Sequence, residues 1–249
     1  MAEFLNLGFA VLVLLACHIS HIQCQPGVQV KILNDGDGTR YTDCGSLLKA
    51  GFNIPGVYRL TLNGTDVLIR CEFRGGKTFS LILRRVSNSV SFIQPWAAYE
   101  NGFGHPQDNY WAGLANIYLL TLQGNTNLQI TMQDWAGNVQ NAVYSGFYLE
   151  PGTSRYRMHV GSYSGTLPDE LSYHNNMVFS TYDAPDPNGC ARSMRVGWWY
   201  NYCAYSLPTG IYNSGGWYTP GGTMYNGIYW KSWYGYNYSL KLLSMTLSS

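Results

Sequence analysis

Few side chains in this sequence have the types and spacing of a catalytic site. Beyond residue 24 the histidines are His105, His159 and His174, separated by 54 and 15 residues, which does not match the HExxH metal-binding motif. Residues 161–165 (GSYSG) resemble the hydrolase elbow G-x-S-x-G, but Tyr163 stands where that motif has its nucleophilic serine. The sequence has no P-loop either. It therefore predicts a protein that is not an enzyme, in which His174 has a structural, hydrogen-bonding role.

Aromatic side chains are concentrated in one C-terminal segment. Residues 198–238 contain 15 Tyr or Trp and a single charged residue, Lys231. Aromatic rings stack on the apolar faces of sugars and pack acetyl methyl groups, while their hydroxyl and indole N–H groups form hydrogen bonds. This composition is compatible with glycan binding. The alternative for any single ring is that it packs in the core or holds a loop in place.

The composition excludes several classes of protein. The 249 residues are 46% hydrophobic and only 12% charged, about half the usual charged share of about 25%. The chain is long enough for one large domain or two small ones with a sizeable core. Fifteen Lys and Arg stand against 14 Asp and Glu, so charge alone does not attract nucleic acid or an anionic membrane.

The N-terminal residues have the pattern of a signal peptide. Residues 5–17 form an apolar run of 13, too short to span a bilayer but typical of a signal-peptide core. The segment before it carries Glu3 and no Lys or Arg, which is atypical, and the alternative is a short buried helix. We expect residues 1–24 to be removed, residues 25–39 to form a short polar leader, and the protein to be secreted.

Cysteine usage agrees with an oxidising compartment. Removal of residues 1–24 leaves four cysteines: Cys44, Cys71, Cys190 and Cys203. Three connectivities are possible, and the pairs that are local in sequence close loops of 27 and 13 residues, each worth roughly 3 kcal/mol. We favour those pairs. An earlier cleavage would retain Cys24, a thiol able to link two chains. The sequence has no CxxC pair, so it does not favour a zinc site.

Turn signals and periodicity predict a mixture of strands and short helices. Asp43 caps a short helix that stops at Gly51, and Asn63-Gly64 is the turn of a hairpin. The predicted strands are 57–62, 67–73, 78–85, 128–135 and 141–149, and the further helices are 96–99 and 114–121. Beyond residue 150, frequent Gly, Pro, Ser and Asn predict short elements and long ordered loops. Neither heptads nor Gly-X-Y triplets indicate a stalk.

Short segments dispersed along the chain form a recognisable set. In chain order they are 43–44 (DC), 56–58 (GVY), 101–104 (NGFG), 110–113 (YWAG), 116–121 (NIYLLT), 163–165 (YSG), 171–174 (LSYH), 179–180 (FS), 190–191 (CA), 198–199 (WW), 226–227 (NG) and 236–241 (YNYSLK). Together they resemble the fibrinogen C-terminal globular domain, over about residues 40 to 247. The layout is most similar to ficolins, tachylectin-like lectins and microfibril-associated glycoproteins.

The resemblance implies a fold and a covalent framework. It implies an α+β domain at residues 40–249, with a small N-terminal subdomain, a central twisted antiparallel sheet with short helices, and a loop-rich C-terminal binding subdomain. It also implies the two local disulfides. In relatives the second disulfide borders a binding pocket, and a cis peptide bond precedes its second cysteine, which here would join Tyr202 to Cys203.

The resemblance also implies a ligand pocket, whose residues we carry over by position. The family's acetyl or peptide pocket uses positions occupied here by Met194, Ala204, Met224 (followed by Tyr225) and Tyr236, beside Tyr202 and Cys203. Only Tyr236 matches the family's residue. Ala204 replaces a usual His and so removes a hydrogen-bond donor, while the two Met make the pocket more apolar.

The family's calcium loop is altered in this sequence. Relatives have an Asp-x-Asp-x-Asp run before the first cysteine of the second disulfide, whereas residues 183–190 (DAPDPNGC) are about three residues shorter. The candidate calcium ligands are Asp183, Asp186 and Asn188 with main-chain carbonyls, although calcium takes about six to eight oxygens. The alternative is that these residues only form turns.

Two functions follow from the resemblance. The first is a secreted, non-enzymatic, lectin-like protein that binds glycans or acetylated groups in innate immune recognition. Because a single sugar site binds weakly, this function favours a homo-oligomer. The alternative is an extracellular-matrix or cell-adhesion protein whose aromatic surface binds proteins. Neither function needs nucleic acid or a membrane span.

Two N-glycosylation sequons occur, at Asn63 and Asn237. Asn63 is predicted at a hairpin tip and Asn237 in a strand. We therefore expect a glycan at Asn63 and none at Asn237.

Overall fold

An antiparallel sheet of nine strands lies at the centre of the molecule. A computed structural model describes residues 32–34, 36, 38–222 and 224–249. The strands are β1 (Gly56–Leu62), β2 (Thr65–Arg74), β3 (Lys77–Arg85), β4 (Phe103–Gly104), β5 (Tyr110–Trp111), β6 (Asn127–Gln133), β7 (Val139–Tyr144), β8 (Tyr148–Leu149), β9 (Met158–His159), β10 (Tyr163–Gly165) and β11 (Leu242–Ser248). The helices are α1 (Cys44–Lys49), α2 (Trp96–Asn101), α3 (Leu114–Leu122), α4 (Cys190–Met194) and α5 (Lys231–Tyr234). The predicted α+β class, with an antiparallel sheet and short helices, is confirmed.

The last strand joins the two halves of the sheet. The strand order is β1-β2-β3-β11-β6-β7-β10, so β11 lies between strands that come much earlier in the chain. It pairs with β3 from Leu243 to Leu247 and with β6 along its whole length. β5 pairs with the end of β3, beyond the residues that pair with β2, and β4 pairs with β5. β8 and β9 form a separate two-stranded sheet.

Two elements form where short sequence motifs predict them, the capped helix α1 and the turn between β1 and β2. The Asp43 carboxylate accepts a hydrogen bond from the Ser46 N–H at 2.7 Å and caps α1. Asn63 and Gly64 both have positive φ, 46° and 81°, as the two-residue turn between β1 and β2 requires.

The second predicted hairpin is shorter than expected, because β6 and β7 end at Gln133 and Tyr144. The Asp134 carboxylate accepts hydrogen bonds from the main-chain and side-chain N–H groups of Asn138, and so closes the turn beyond Gln133. The strand prediction was wrong for residues 134–135, which this turn occupies, and for residues 145–147, while β8 covers Tyr148–Leu149.

An aromatic core connects the sheet to the C-terminal loops. Trp111, on β5, is fully buried, and its ring centroid lies 5.7 Å from Tyr99, 6.0 Å from Phe179 and 6.2 Å from Trp199. Its indole N–H donates to the Tyr99 carbonyl at 2.7 Å, and that of Trp199 donates to the Tyr156 carbonyl at 2.7 Å. Within the aromatic segment 198–238, six rings are buried and so belong to the core: Trp198, Trp199, Tyr200, Tyr229, Trp230 and Tyr238.

Both predicted disulfides are present. Cys44–Cys71 joins α1 to β2, and Cys190–Cys203 joins α4 to the loop that follows it. The sequence-local pairing is confirmed. Closing short loops restricts the unfolded chain, and this stabilises the fold.

Part of the predicted leader packs on the sheet. The Leu33 N–H donates to the Val57 carbonyl at 3.0 Å, and the Asn34 side chain exchanges two 2.8 Å hydrogen bonds with the main chain of Arg59. Residues 32–34 thus extend the β1 edge and are not free of structure. The predicted signal peptide, residues 1–24, lies outside the described residues. No helix within the described ranges is long and apolar enough to cross a membrane.

Candidate functional site

The C-terminal loops assemble a line of tyrosines around one lysine, which we call the tyrosine row: Tyr173, Tyr205, Lys231, Tyr236, Tyr225 and Tyr218. At one end Tyr173 and Tyr205 stack, with ring centroids 3.8 Å apart and planes 6° from parallel. The Lys231 Nζ lies 3.6 Å from the Tyr205 centroid and 5.8 Å from that of Tyr236. The rings hold the ammonium by cation–π attraction.

The other end of the row is fixed by hydrogen bonds. Tyr225 stacks with Tyr236 at 6.5 Å and meets Tyr218 edge-on at 6.1 Å. The Tyr218 hydroxyl donates to the Tyr236 carbonyl at 2.9 Å and accepts from the Gly227 N–H at 2.6 Å. Tyr225 remains 40% exposed. This end therefore offers a rigid aromatic face to solvent.

A buried histidine positions Tyr205. His174 is fully buried, its Nδ1–H donates to the Trp199 carbonyl at 2.7 Å, and its Nε2 accepts from the main-chain N–H groups of Tyr205 and Ser206, each at 3.3 Å. These partners assign the neutral ring with the proton on Nδ1. Burial lowers the pKa of His174 to about 4. The predicted structural role of His174 is confirmed.

Lys231 is positioned by the start of α5. The Lys231 N–H donates to the Tyr205 carbonyl at 2.9 Å, and the Trp230 indole N–H donates to the Pro168 carbonyl at 2.9 Å. Desolvation opposes the charge, but the Tyr236 and Tyr205 hydroxyls outweigh it and raise the pKa of Lys231. Lys231 is therefore a cation at neutral pH.

The residues of the predicted pocket separate into two groups. Tyr225 and Tyr236 meet in the tyrosine row, and Tyr202, 81% exposed, lies near Tyr173. Met194 and Ala204 are buried, at 2% and 5% exposure.

The buried pair contributes through the main chain. The Met194 carbonyl accepts from the Asn226 side chain at 3.4 Å, and the Ala204 carbonyl accepts from the Tyr229 hydroxyl at 3.3 Å. Met224 is half-buried against the core. The sequence pattern did not single out Tyr173, Tyr205 and Tyr218, and it marked Lys231 only as the one charged residue of the aromatic segment.

The expected cis bond is not present. The peptide bond between Tyr202 and Cys203 is trans, and both residues have left-handed backbone, with φ of 43° and 67°. The cis prediction was wrong. Left-handed φ at two consecutive residues with side chains turns this segment sharply and leaves the Tyr202 ring in solvent while Cys203 reaches Cys190.

The candidate calcium ligands Asp183 and Asp186 accept hydrogen bonds from the protein itself. The Asp183 Oδ1 accepts from the Trp96 N–H at 2.9 Å and from the Thr181 hydroxyl at 2.7 Å. The Asp186 Oδ2 accepts from the Arg192 N–H at 3.0 Å. Both carboxylates thus bind N–H groups at the starts of short helices. In the described part of the chain, no group of three or more His, Cys, Asp or Glu could hold a metal ion.

The two sequons differ less in exposure than the sequence suggests. Asn63 is exposed at the hairpin tip, as predicted, but Asn237 is also exposed and lies in a bend, so its placement in a strand was wrong. The carbonyl of Asn237 accepts from the Tyr218 N–H at 3.0 Å, and its sequon hydroxyl, on Ser239, is fully buried.

We expect a glycan at Asn63 and none at Asn237 when the chain passes through a eukaryotic secretory pathway, because only the first sequon keeps its hydroxyl residue exposed. Glycopeptide mass spectrometry measures both sites, with Thr65→Ala as the control that removes the first. An unmodified Asn63 would contradict the prediction.

Comparison with known protein families identifies the family of this chain. Residues 40–249 match the family described as Fibrinogen beta and gamma chains, C-terminal globular domain. The chain belongs to the fibrinogen C-terminal domain family. Angiopoietin-related protein 6 of Homo sapiens is 37% identical over 211 residues, which are 83% of this chain and 44% of that protein. Fibrinogen-like protein 1 of Bos taurus is 32% identical over 240 residues, 89% of this chain and 76% of that protein.

Solved structures of fibrinogen C-terminal domains share this fold. The fibrinogen-like globe domain of human ANGPTL6 superposes with a TM-score of 0.78 at 35% identity, covering 89% of this chain and 98% of that one. Lamprey fibrin D-dimer, complexed with the peptide Gly-His-Arg-Pro-amide, superposes with a TM-score of 0.80 at 28% identity, covering 90% and 78%. The family resemblance is confirmed. The chain spans less than half of angiopoietin-related protein 6, so the fibrinogen C-terminal domain is the part that the two share.

Proposed function

We propose that this chain is a secreted, non-enzymatic recognition protein whose tyrosine row binds a segment of an extracellular protein. The observation that carries the proposal is the row itself, a fixed aromatic face with one cation at its centre. Tyrosine is favoured at protein interfaces because a rigid ring contributes a large contact area at a small cost in conformational entropy.

The comparisons support protein binding more than sugar binding. The relatives named above are an angiopoietin-related and a fibrinogen-like protein. The lamprey fibrin structure is described as a complex with a peptide. Within this chain, Met194 and Ala204 are buried, which leaves fewer side chains for an acetyl pocket. Glycan binding is therefore the second candidate, and the lectin function stays a prediction.

The chemistry of the row also indicates the kind of partner segment. Lys231 lies between the Tyr205 and Tyr236 rings, so an acidic residue of the partner would bind the ammonium while an adjacent aromatic or proline ring packs on Tyr225. We therefore expect a segment that combines an acidic side chain with a ring.

A peptide library displayed on phage tests this function. Selection on the immobilised chain should enrich peptides with an acidic residue beside an aromatic residue or proline. Tyr236→Ala should weaken their binding by about tenfold or more, since buried interface tyrosines often contribute at least that much. Lys231→Met should weaken it too.

Tyr148→Ala is the matched control, because Tyr148 is 45% exposed and stacks on His159, outside the row. Peptide binding that is equally sensitive to Tyr148→Ala would overturn the proposal. Retention on N-acetylglucosamine resin that Tyr236→Ala abolishes, without any enriched peptide, would establish the lectin function instead.

A further inference from the structure

A buried arginine without an acidic partner lies at the end of β3. Arg85 is 1% exposed, and its guanidinium carbon lies 3.7 Å from the centroid of the Phe92 ring. Its Nη1 donates to the carbonyl oxygens of Pro208 and Gly210. No carboxylate of the described residues forms an ion pair with it. A cation buried in this way is costly unless an anion and hydrogen bonds compensate it.

Much of the hydrogen-bonding capacity of Arg85 is unused. A guanidinium has five N–H donors, and Nη1 carries two of them. Its Nε has no acceptor, and the described residues provide none for Nη2. Nε is sealed from solvent, so Nη2 is the nitrogen that is left to donate to a ligand. Burial lowers the pKa of Arg85 only to about 9, so the cation persists at neutral pH.

Arg85 lines a cavity of about 180 Å³. The cavity has apolar walls from Val90, Ile93 and Ile211, and the exposed Asn88 lies at its rim. Since a water takes about 30 Å³ of liquid, this volume suits a ligand of a few heavy atoms and not the drug-sized ligands that fill roughly 300–1,000 Å³. None of the lining residues belongs to the tyrosine row.

We propose that this cavity is a second binding site, which takes a carboxylate on a short alkyl chain. The carboxylate accepts hydrogen bonds from the Nη2 N–H groups of Arg85, and the alkyl chain packs against Val90 and Ile211. Such a group occurs in free short-chain acids and in the side chain of glutamate, and both present the same chemistry to the site.

Isothermal titration calorimetry of the full chain at constant ionic strength tests the proposal. Sodium propionate and butyrate should give saturable binding, and sodium chloride should bind at least tenfold more weakly because it lacks both the paired oxygens and the alkyl chain. Glutamate capped as its N-acetyl α-amide separates the sources. If the capped glutamate binds as tightly as propionate, the site accepts an acidic side chain. If only the free acids bind, the site accepts short-chain acids alone.

Two substitutions locate the site. Asn88→Trp places a large ring at the rim and should reduce propionate affinity at least tenfold, while Asn88→Ala leaves it unchanged. Arg85→Met should abolish binding, and if that variant does not fold, Asn88→Trp decides. Absence of saturable propionate binding, equal binding of chloride, or binding unaffected by Asn88→Trp would overturn the proposal.

Discussion

Acidification from pH 6.5 to pH 4 should destabilise the folded chain by about 3 kcal/mol through His174 alone. Burial holds the pKa of His174 near 4 in the folded state, against an ordinary value of 6.5. Between these values the unfolded chain binds a proton that the folded chain does not. The free energy of unfolding therefore falls as pH decreases through this window, and it is constant with respect to this group above it. Urea unfolding followed by tryptophan fluorescence at pH 7, 5.5 and 4 measures the effect.

A matched variant separates His174 from the carboxylates that also titrate in acid. His174→Gln removes the titrating ring, so its stability should be lower at pH 7 but should depend less on pH by about 3 kcal/mol over the window. If His174→Gln retains the wild-type slope, the assignment of a neutral buried ring is wrong. Because His174 binds the Tyr205 N–H, acid should also loosen the tyrosine row.

Replacement of Trp111 by alanine should lower the free energy of unfolding by about 3–5 kcal/mol. The Trp111 ring is fully buried among Tyr99, Phe179 and Trp199, and its N–H is the hydrogen-bond donor to the Tyr99 carbonyl. Alanine leaves a cavity that these rings cannot fill and a buried carbonyl without its donor. Guanidinium unfolding followed by circular dichroism gives the difference in stability.

Trp217→Ala is the control, because Trp217 is 62% exposed and meets Tyr234 and Tyr238 only edge-on. Its cost should be less than about 1 kcal/mol. If Trp111→Ala and Trp217→Ala lower the free energy of unfolding by similar amounts, the conclusion that the packed aromatic core stabilises the domain is wrong.

Features fixed by neighbouring residues could be predicted from the sequence. The Asp43 cap and the Asn63-Gly64 turn depend on bonds that span only a few residues. The disulfide pairs were predictable because short loops close at the smallest entropic cost. The fold class could also be predicted, because the segments that resemble the family are dispersed over most of the chain.

The candidate site was less predictable because it combines distant parts of the chain. Tyr173 and Tyr205 stack although 32 positions separate them, and hydrogen bonds of His174 and Asn201 join their loops. Side-chain composition alone does not show that the Asp183 carboxylate accepts a hydrogen bond from the Trp96 N–H, and calcium binding by this loop stays a prediction. The cis prediction rested on the resemblance alone, and in this chain a trans bond joins Tyr202 to Cys203, both with positive φ.

The central position of β11 has a consequence for synthesis. Arg85, the last residue of β3, and Leu242, the first of β11, are 157 positions apart. At about 5–20 residues per second, β3 leaves the ribosome roughly 8–30 seconds before the strand that must lie beside it. During that time β3 and β6 each expose an open edge that can pair with another nascent chain. A stop codon between Gly165 and Leu242 therefore removes the middle strand of the sheet. Its product has two groups of strands that β11 no longer joins, each with an open edge that can pair with another chain.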